Sequence, residues 1–248
     1  MQDLDGKVAV VIGGSGGIGA ASARMLAAQG AGVAIGYNSN HARAAAVMAE
    51  LPGSGHSTFA IQVDDSASVA AAATQVLASH GRVDVLVNSA GTTKPVPHGD
   101  LDGLPDDLID RVLIANVRGP FSAIRAFAPA LKATGDGVIV NISSISGFTG
   151  SGSSVAYCAS KGALDTMTLS LARALGPEIR VLCVSPGAVA TDFLPGRGRE
   201  QLEKIAQATP LKRVVEPEDV ARAVLACVTH LRATTGARIV VDGGRFLV

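Results

Sequence analysis

The sequence predicts an α/β fold, with one doubly wound parallel sheet of about seven strands and helices on both faces. Three observations carry this reading. Short runs rich in Val and Ile alternate with longer Ala- and Leu-rich stretches of helical spacing along the whole chain. The short runs are apolar at successive positions, the pattern of strands buried on both faces, as in parallel sheets covered by helices. No repeat, low-complexity linker or break in composition interrupts the alternation, so residues 1–248 read as one domain.

The first strand, Lys7–Ile12, runs straight into Gly13-Gly14-Ser15-Gly16-Gly17-Ile18-Gly19, which opens the helix Ile18–Gln29. Glycine permits the tight turn and leaves no Cβ between backbone and ligand. The helix N-terminus then offers N–H groups and partial positive charge to a pyrophosphate. Gly13, Ser15, Gly16, Gly17, Ile18 and Gly19 are therefore candidate cofactor contacts, although the spacing Gly13-x-x-x-Gly17-x-Gly19 departs from the GxGxxG fingerprint.

The second strand, Gly32–Tyr37, ends in Asn38-Ser39-Asn40 and leads to the helix Ala42–Glu50. A carboxylate here binds ribose hydroxyls in NAD-selective sites. None is present, and Asn38, Ser39 and Asn40 can donate hydrogen bonds to a 2′-phosphate. This favours NADP(H) over NAD(H), with Arg43 the only nearby cation; the competing reading is a turn that only caps the next helix. After the third strand, Ser57–Val63, Asp64 is suited either to an adenine amino group or to capping the helix Ser66–Ser79. The fourth strand, Val83–Asn88, ends in Asn88-Ser89-Ala90-Gly91. Pro105–Lys132 is helical in pattern, with Pro120 and Pro129 leaving its continuity open.

The fifth strand, Gly137–Ile142, ends in Ser143-Ser144-Ile145-Ser146-Gly147, at the carboxyl edge where parallel sheets bind ligands. In the helix Ser154–Leu175 that follows, Tyr157 and Lys161 stand four residues apart and share a face. A free phenol has a pKa of about 10, and a neighbouring ammonium favours its phenolate, bringing proton exchange toward neutral pH. The sixth strand is Ile179–Val184. Asp192–Pro210 is the longest interruption of the alternation, either a substrate lid or a surface connection with a short helix. Pro217–His230 opens with Pro217, Glu218 and Asp219, suited to a helix start, and Arg238–Val241 is the seventh strand.

Lys plus Arg and Asp plus Glu both number 21, so no global field draws the chain to nucleic acid or anionic membrane. Cys158, Cys183 and Cys227 form no CxxC pair and read as small core residues of a reducing compartment. The five histidines show no metal-ligand spacing. The start, Met1-Gln2-Asp3-Leu4-Asp5, is polar, and no apolar run approaches the roughly 18 residues of a membrane span, so the expected location is the cytoplasm.

The ordered set of motifs resembles the short-chain dehydrogenase/reductase family along essentially the full length. The matches are Gly13…Gly17-Ile18-Gly19, Asp64, Asn88-Ser89-Ala90-Gly91, Asn116, Ser144, Tyr157-Cys158-Ala159-Ser160-Lys161, Pro186-Gly187 with Thr191, and Asp242-Gly243-Gly244. The resemblance implies a Rossmann-type sheet and a nicotinamide-dependent oxidoreductase that reduces a ketone or oxidises a secondary alcohol. It implies that Tyr157 is the general acid/base and that Ser144, not Ser143, polarises the substrate oxygen. Lys161 would bind the nicotinamide ribose and lower the tyrosine pKa, and Asn116 would hold a water in a proton relay. Asn88, Ala90, Gly91, Pro186, Gly187, Val189 and Thr191 would contact the cofactor.

Ile12, Ser89 and Gly16 depart from the family pattern, the last where many NADP-using relatives carry a basic residue. Thr92, Thr93, Lys94, Ser146, Phe148, Val189 and the 192–210 segment would surround a small-molecule substrate. The likeness to 3-oxoacyl-acyl-carrier-protein reductases is generic. A homo-oligomer, tetramer or dimer, is expected through the Tyr157 helix and the strand near Asp242. Two alternatives on the same fold are dehalogenase or epoxide chemistry and a catalytically silent cofactor sensor; Lys161, the intact glycines and the complete Asn116, Ser144, Tyr157, Lys161 set argue against both.

Overall fold

The computed structural model describes residues 3–248; Met1 and Gln2, the start of the polar N-terminal stretch, lie outside the described residues. Seven strands form one sheet: β1 (Val8–Ile12), β2 (Gly32–Tyr37), β3 (Ser57–Ala60), β4 (Val85–Asn88), β5 (Gly137–Ile142), β6 (Ile179–Pro186) and β7 (Arg238–Val241). Their order is β3-β2-β1-β4-β5-β6-β7 and every neighbouring pair is parallel. The strands read from the sequence are all present. β3 stops short of Val63, and β6 runs on to Pro186 because β7 pairs with it there, Pro186 opposite Val241.

Successive residues of each strand serve opposite faces. Ala9 and Val11 of β1 belong to one apolar layer, where they meet helices α1 (Gly17–Ala28) and α9 (Pro217–Thr229) through Leu26, Val220 and Val224. Val10 and Ile12 belong to the other, with α3 (Ser66–His80) and α5 (Gly119–Ala133) supplying Val69, Val76, Phe127 and Leu131. This is why the strands lack a polar alternation: neither face of the central sheet meets water.

Helix ends follow local chemistry. Asp65, not Ser66 or Asp64, caps α3, accepting from the Ala67 N–H at 2.9 Å. The Asn40 side chain caps α2 (His41–Ala49), accepting from Arg43 N at 2.9 Å. Glu216 and Asp219 form a reciprocal capping box with Pro217 in the first turn of α9. The 192–210 segment carries a short helix, α8, at Arg199–Gln207.

The 105–132 stretch is continuous but not uniform. α4 (Asp106–Leu113) passes into a π-helical turn, Ile114–Arg118, and then into α5, which takes Pro120 in its first turn and Pro129 in its interior. Proline offers no N–H to the carbonyl four residues earlier, so Pro120 cannot serve Asn116. The π turn, Ile114–Arg118, lies just before that proline, and such turns gather at functional sites.

The long helix α7 (Val155–Leu175) is seated against the short α6 (Ser146–Thr149) by an approach that only glycine allows. A Cβ at Gly147 would lie 2.7 Å from Lys161 C and 2.8 Å from Gly162 N, both backbone atoms. Gly147→Ala is therefore expected to lower the urea midpoint by the equivalent of about 1–3 kcal/mol. Gly99→Ala, where an added Cβ meets nothing within 4 Å, should shift it by less than about 0.5 kcal/mol. Equal midpoints for the two variants would show that the α6–α7 contact yields freely.

Candidate active site

The sheet order reverses direction between β1 and β4, since the crossovers from β1 run outward to β2 and β3 and the later ones run to β5, β6 and β7. Helices leave to opposite faces at such a point and open a crevice at the carboxyl ends of the strands. A cavity of about 990 Å³ lies there. Residues just past six strands reach it: Gly13, Asn38, Asp64, Ala90, Ser144 and Gly187.

At one end stands the glycine turn. Gly13 has φ of 78° and its missing Cβ would lie 2.7 Å from Ala90 N, so the turn closes directly on the segment after β4. Gly17 has φ of 50°, and a Cβ there would sit 3.1 Å from Thr191. Helix α1 begins with no side-chain cap and no acidic residue in its first turn, leaving its N–H groups for an anion. Gly16 fills the place of a basic residue in another way: a Cβ there would collide with the Arg43 guanidinium, which lies over it. Arg43 and Asn38 line the cavity.

At the other end, α7 carries Tyr157 and Lys161 to the wall formed by β5. Ser154 caps the helix through Tyr157 N at 3.2 Å, fixing where the first turn starts. Lys161 is buried, its Nζ donating to the Ile142 carbonyl at 2.8 Å and lying 5.8 Å from the centre of the Tyr157 ring. Ser143 donates to the Lys161 carbonyl at 3.3 Å and is used in holding the helix. The Ser144 hydroxyl accepts from Ser146 N at 3.1 Å and stands close enough to Tyr157 to pull its pKa down.

Burial dominates the electrostatics of both ionisable groups. It pushes the Tyr157 phenol up to about 12, against the lowering by the Ser144 hydroxyl and the Arg197 charge. It pulls the Lys161 ammonium down to about 8, against the nearby Asp165. Desolvation, which penalises each charged form, sets the direction of both shifts.

Several expected site residues lie elsewhere. Asn88 does not line the cavity; its Nδ2 donates to Asn141 Oδ1 at 2.9 Å, and Asn141 Nδ2 to Thr168 Oγ1 at 3.0 Å, a buried chain tying β4, β5 and α7 together. Gly19 is a packing glycine whose Cβ would strike the Gly13 carbonyl. Ser39 and Asn40 do not reach the cavity, Asn40 being drawn into its cap. Ser146 is buried behind the wall, and Phe148 packs on Phe246, ring centres 5.7 Å apart, and on Arg238. Asn116 is fully buried in the π turn: its Nδ2 donates to the Thr92 carbonyl at 2.9 Å and to Ser160 Oγ at 3.0 Å, and its Oδ1 accepts from Thr92 N at 2.8 Å.

Ser15, Gly16, Ile18, Ala90, Gly91, Pro186, Gly187, Val189 and Thr191 all line the cavity, as do Thr92, Thr93 and Lys94. Arg111 and Arg118 line the cavity without having been among the expected contacts, and Phe193 and Arg197 bring the expected 192–210 segment to it. Arg118 donates to the Asp64 carbonyl, Arg111 pairs with Asp107 at 3.4 Å, and Phe193 and Arg197 come from the segment before α8, the Phe193 ring 5.9 Å from that of Tyr157. Among the described residues no group of three or more His, Cys, Asp or Glu side chains is placed to hold a metal, and no helix is long and apolar enough to cross a membrane.

Residues 13–245 match the family model described as enoyl-(acyl carrier protein) reductase. The chain is 37% identical over 249 residues to D-threitol dehydrogenase of Mycolicibacterium smegmatis, covering 97% of this chain and 93% of that one. It is 33% identical over 245 residues to 3-oxoacyl-[acyl-carrier-protein] reductase of Staphylococcus aureus, covering 97% and 98%. A short-chain dehydrogenase of Burkholderia cenocepacia, solved in complex with NADP, superposes with a TM-score of 0.87 at 36% identity over 98% of this chain and 99% of that one. The chain belongs to the short-chain dehydrogenase/reductase family of oxidoreductases.

Proposed function

We propose that the chain acts as one dinucleotide-binding and catalytic unit that reduces a ketone or oxidises a secondary alcohol, with Tyr157 exchanging the proton and NADP(H) preferred over NAD(H). The observation that carries this is the shared cavity: Ser144, Tyr157 and Lys161 form the wall of the same crevice whose other end is the glycine turn. The residues present fit the cofactor. Gly13 and Gly17 leave the turn bare of side chains at positive φ, and the uncapped start of α1 suits a pyrophosphate. The relative bound to NADP supports the same assignment. When bound, the nicotinamide supplies or takes the hydride.

The chain's own part is position and the proton. A phenol with a pKa near 12 is protonated at neutral pH, so Tyr157 is a hydrogen-bond donor to a carbonyl oxygen and gives its proton as that oxygen becomes an alkoxide. Ser144 beside it offers the second donor. Lys161 serves the ribose and, while charged, favours loss of the tyrosine proton. The Asn116 side chain has its partners in Thr92 and Ser160, so the proton-relay role falls to its main-chain carbonyl, which Pro120 cannot cover.

The preference for the 2′-phosphate rests on Arg43 and Asn38, with Gly16 leaving room for the guanidinium. Thr92, Thr93, Lys94 and Val189 with the 192–210 segment would surround a small-molecule substrate. A homo-oligomer, tetramer or dimer, is proposed to form through the α7 and β7 side, a reading that the exposure of Leu169, Phe246 and Leu247 supports.

Three outcomes are expected. Tyr157→Phe should lower kcat at least about a thousandfold while leaving NADPH affinity within about twofold; turnover near the original rate would remove Tyr157 from the chemistry. Arg43→Ala should weaken NADPH binding roughly tenfold, or about 1.4 kcal/mol, with NADH almost unaffected. Fluorescence titration reads both, and equal losses would refute the phosphate contact. The third outcome concerns pH. Because kcat/KM reports the free enzyme, that of reduction should hold through neutral pH, where Tyr157 is protonated and Lys161 charged. It should fall as pH rises past about 8, where Lys161 loses its proton. A rate rising through that range would assign the limiting proton elsewhere.

A further inference from the structure

The cavity holds more positive charge than the proposed chemistry uses. Its lining includes Arg43, Lys94, Arg111, Arg118, Lys161 and Arg197, against Asp64 and Asp192. Most of these cations have partners. Arg43 stands 3.6 Å from Asp192, Arg111 pairs with Asp107, Arg118 donates to the Asp64 carbonyl and Lys161 to the Ile142 carbonyl. Lys94 projects into solvent at the rim.

Arg197 differs from all of them. It is half-buried, and its Nε is enclosed with no hydrogen-bond partner. One Nη donates to the Val189 carbonyl at 3.1 Å, which pins the segment but uses a single N–H of the five a guanidinium carries. Among the described residues no carboxylate forms an ion pair with it. The other charge it feels most is Arg245, of the same sign and also without a carboxylate partner. A desolvated cation with an unused donor, repelled by a second cation, is unfavourable until an anion joins it.

The place of that anion is set by the neighbours of Arg197. Its charge reaches the Tyr157 phenol, and Phe193, four residues earlier, stacks at a tilt beside the Tyr157 ring. The glycine turn, Asn38 and Arg43 stand at the opposite end, so Arg197 faces the substrate and not the adenosine phosphate. With Nε enclosed, the Nη N–H groups left over from the Val189 contact are the ones a ligand can reach, and a planar guanidinium is suited to the oxygens of a carboxylate.

We infer that Arg197 anchors a carboxylate on the substrate, so that the compound reduced beside Tyr157 is a short oxo acid and its product the corresponding hydroxy acid. The inference rests on the carbonyl-reductase reading of the site. In the reaction the ketone carbon gains a hydride from the reduced nicotinamide and its oxygen gains the Tyr157 proton; the carboxylate is unchanged and serves only to place the ketone.

The test uses the full chain with NADPH and with NADH on 2-, 3- and 4-oxo acids, their ethyl esters and N-acetylcysteamine thioesters, simple neutral ketones, and a phosphorylated hydroxyketone beside its unphosphorylated form. At least one free acid should exceed its ester in kcat/KM by roughly tenfold or more, the scale of one charge-assisted contact. In Arg197→Met that ratio should collapse to within about twofold, through KM more than kcat. Arg197→Lys should keep part of it, since the charge stays and the planar fork is lost. Loss of the Val189 contact alone would slow acid and ester alike and leave the ratio standing. Esters or thioesters equal to or better than the acids, a preference that survives Arg197→Met, or a preference for the phosphorylated ketone over the oxo acids would each overturn the carboxylate assignment while leaving the reductase reading intact. Failure of every carbonyl compound, neutral or charged, with both cofactors would overturn the reductase reading and the assignment with it.

Discussion

Everything functional in this molecule depends on one constraint, that a parallel sheet has two apolar faces and both must be covered. Crossover helices do the covering, and each must leave the carboxyl end of a strand and return to the amino end of the next. With the order β3-β2-β1-β4-β5-β6-β7, helices after β1 and β4 diverge to opposite sides of the sheet. The crevice they leave between them is a by-product of covering the core. Residues that follow strand ends are gathered there whatever their separation in the chain, which is how Gly13, Ala90, Ser144 and Gly187 come to line one crevice. The core on either side, from Leu26 and Val224 to Phe127 and Leu131, makes the floor rigid enough to hold them.

A second tier of buried polar contacts converts that floor into a positioned site. The Asn88–Asn141–Thr168 chain ties two central strands to α7, and Ser143 holds the same helix through the Lys161 carbonyl. Asn116 clamps the Thr92 backbone from both its N–H and its carbonyl side while reaching Ser160 on α7. Such networks rigidify what they hold, and one buried acceptor, Asn88 Oδ1, is left without a partner. Here they lie directly beneath Tyr157 and Lys161. The close approach of Gly147 to the backbone of Lys161 and Gly162 completes the seat from the far side.

The architecture was legible because it is written in periodicity: seven strand runs, the central ones buried on both faces, and the helices between them leave a signal at every turn. The Gly13–Gly19 turn and the Tyr157, Lys161 pair were legible for a related reason, since short-range spacing on a known element fixes relative position. Roles that depend on competition between partners were not. Asn40 could donate to a phosphate or cap a helix, and only the fold decides that α2 takes its side chain. Asn88 sits at a strand end like the site residues, yet Asn141 on the neighbouring strand claims it. The direction of the Tyr157 shift likewise needs the fold, because an ammonium four residues away says nothing about how far both groups are removed from water.

Charge shows the same division between what a chain contains and where folding puts it. With 21 residues of each sign the sequence is formally neutral, and neutrality excludes a long-range field, not a local one. The fold then segregates the signs. Acidic side chains such as Asp107, Glu203 and Asp219 are spent at exposed ion pairs or helix starts, where they do little for any ligand. The crevice at the switch point collects lysines and arginines along its length, with Arg43 at the glycine turn and Arg197 beside Tyr157. A cleft with low-dielectric walls and that lining favours anions at both ends, which suits the proposed pyrophosphate at one and the proposed carboxylate at the other. The two requirements do not compete, because the cations that meet them stand on different loops of the same sheet edge.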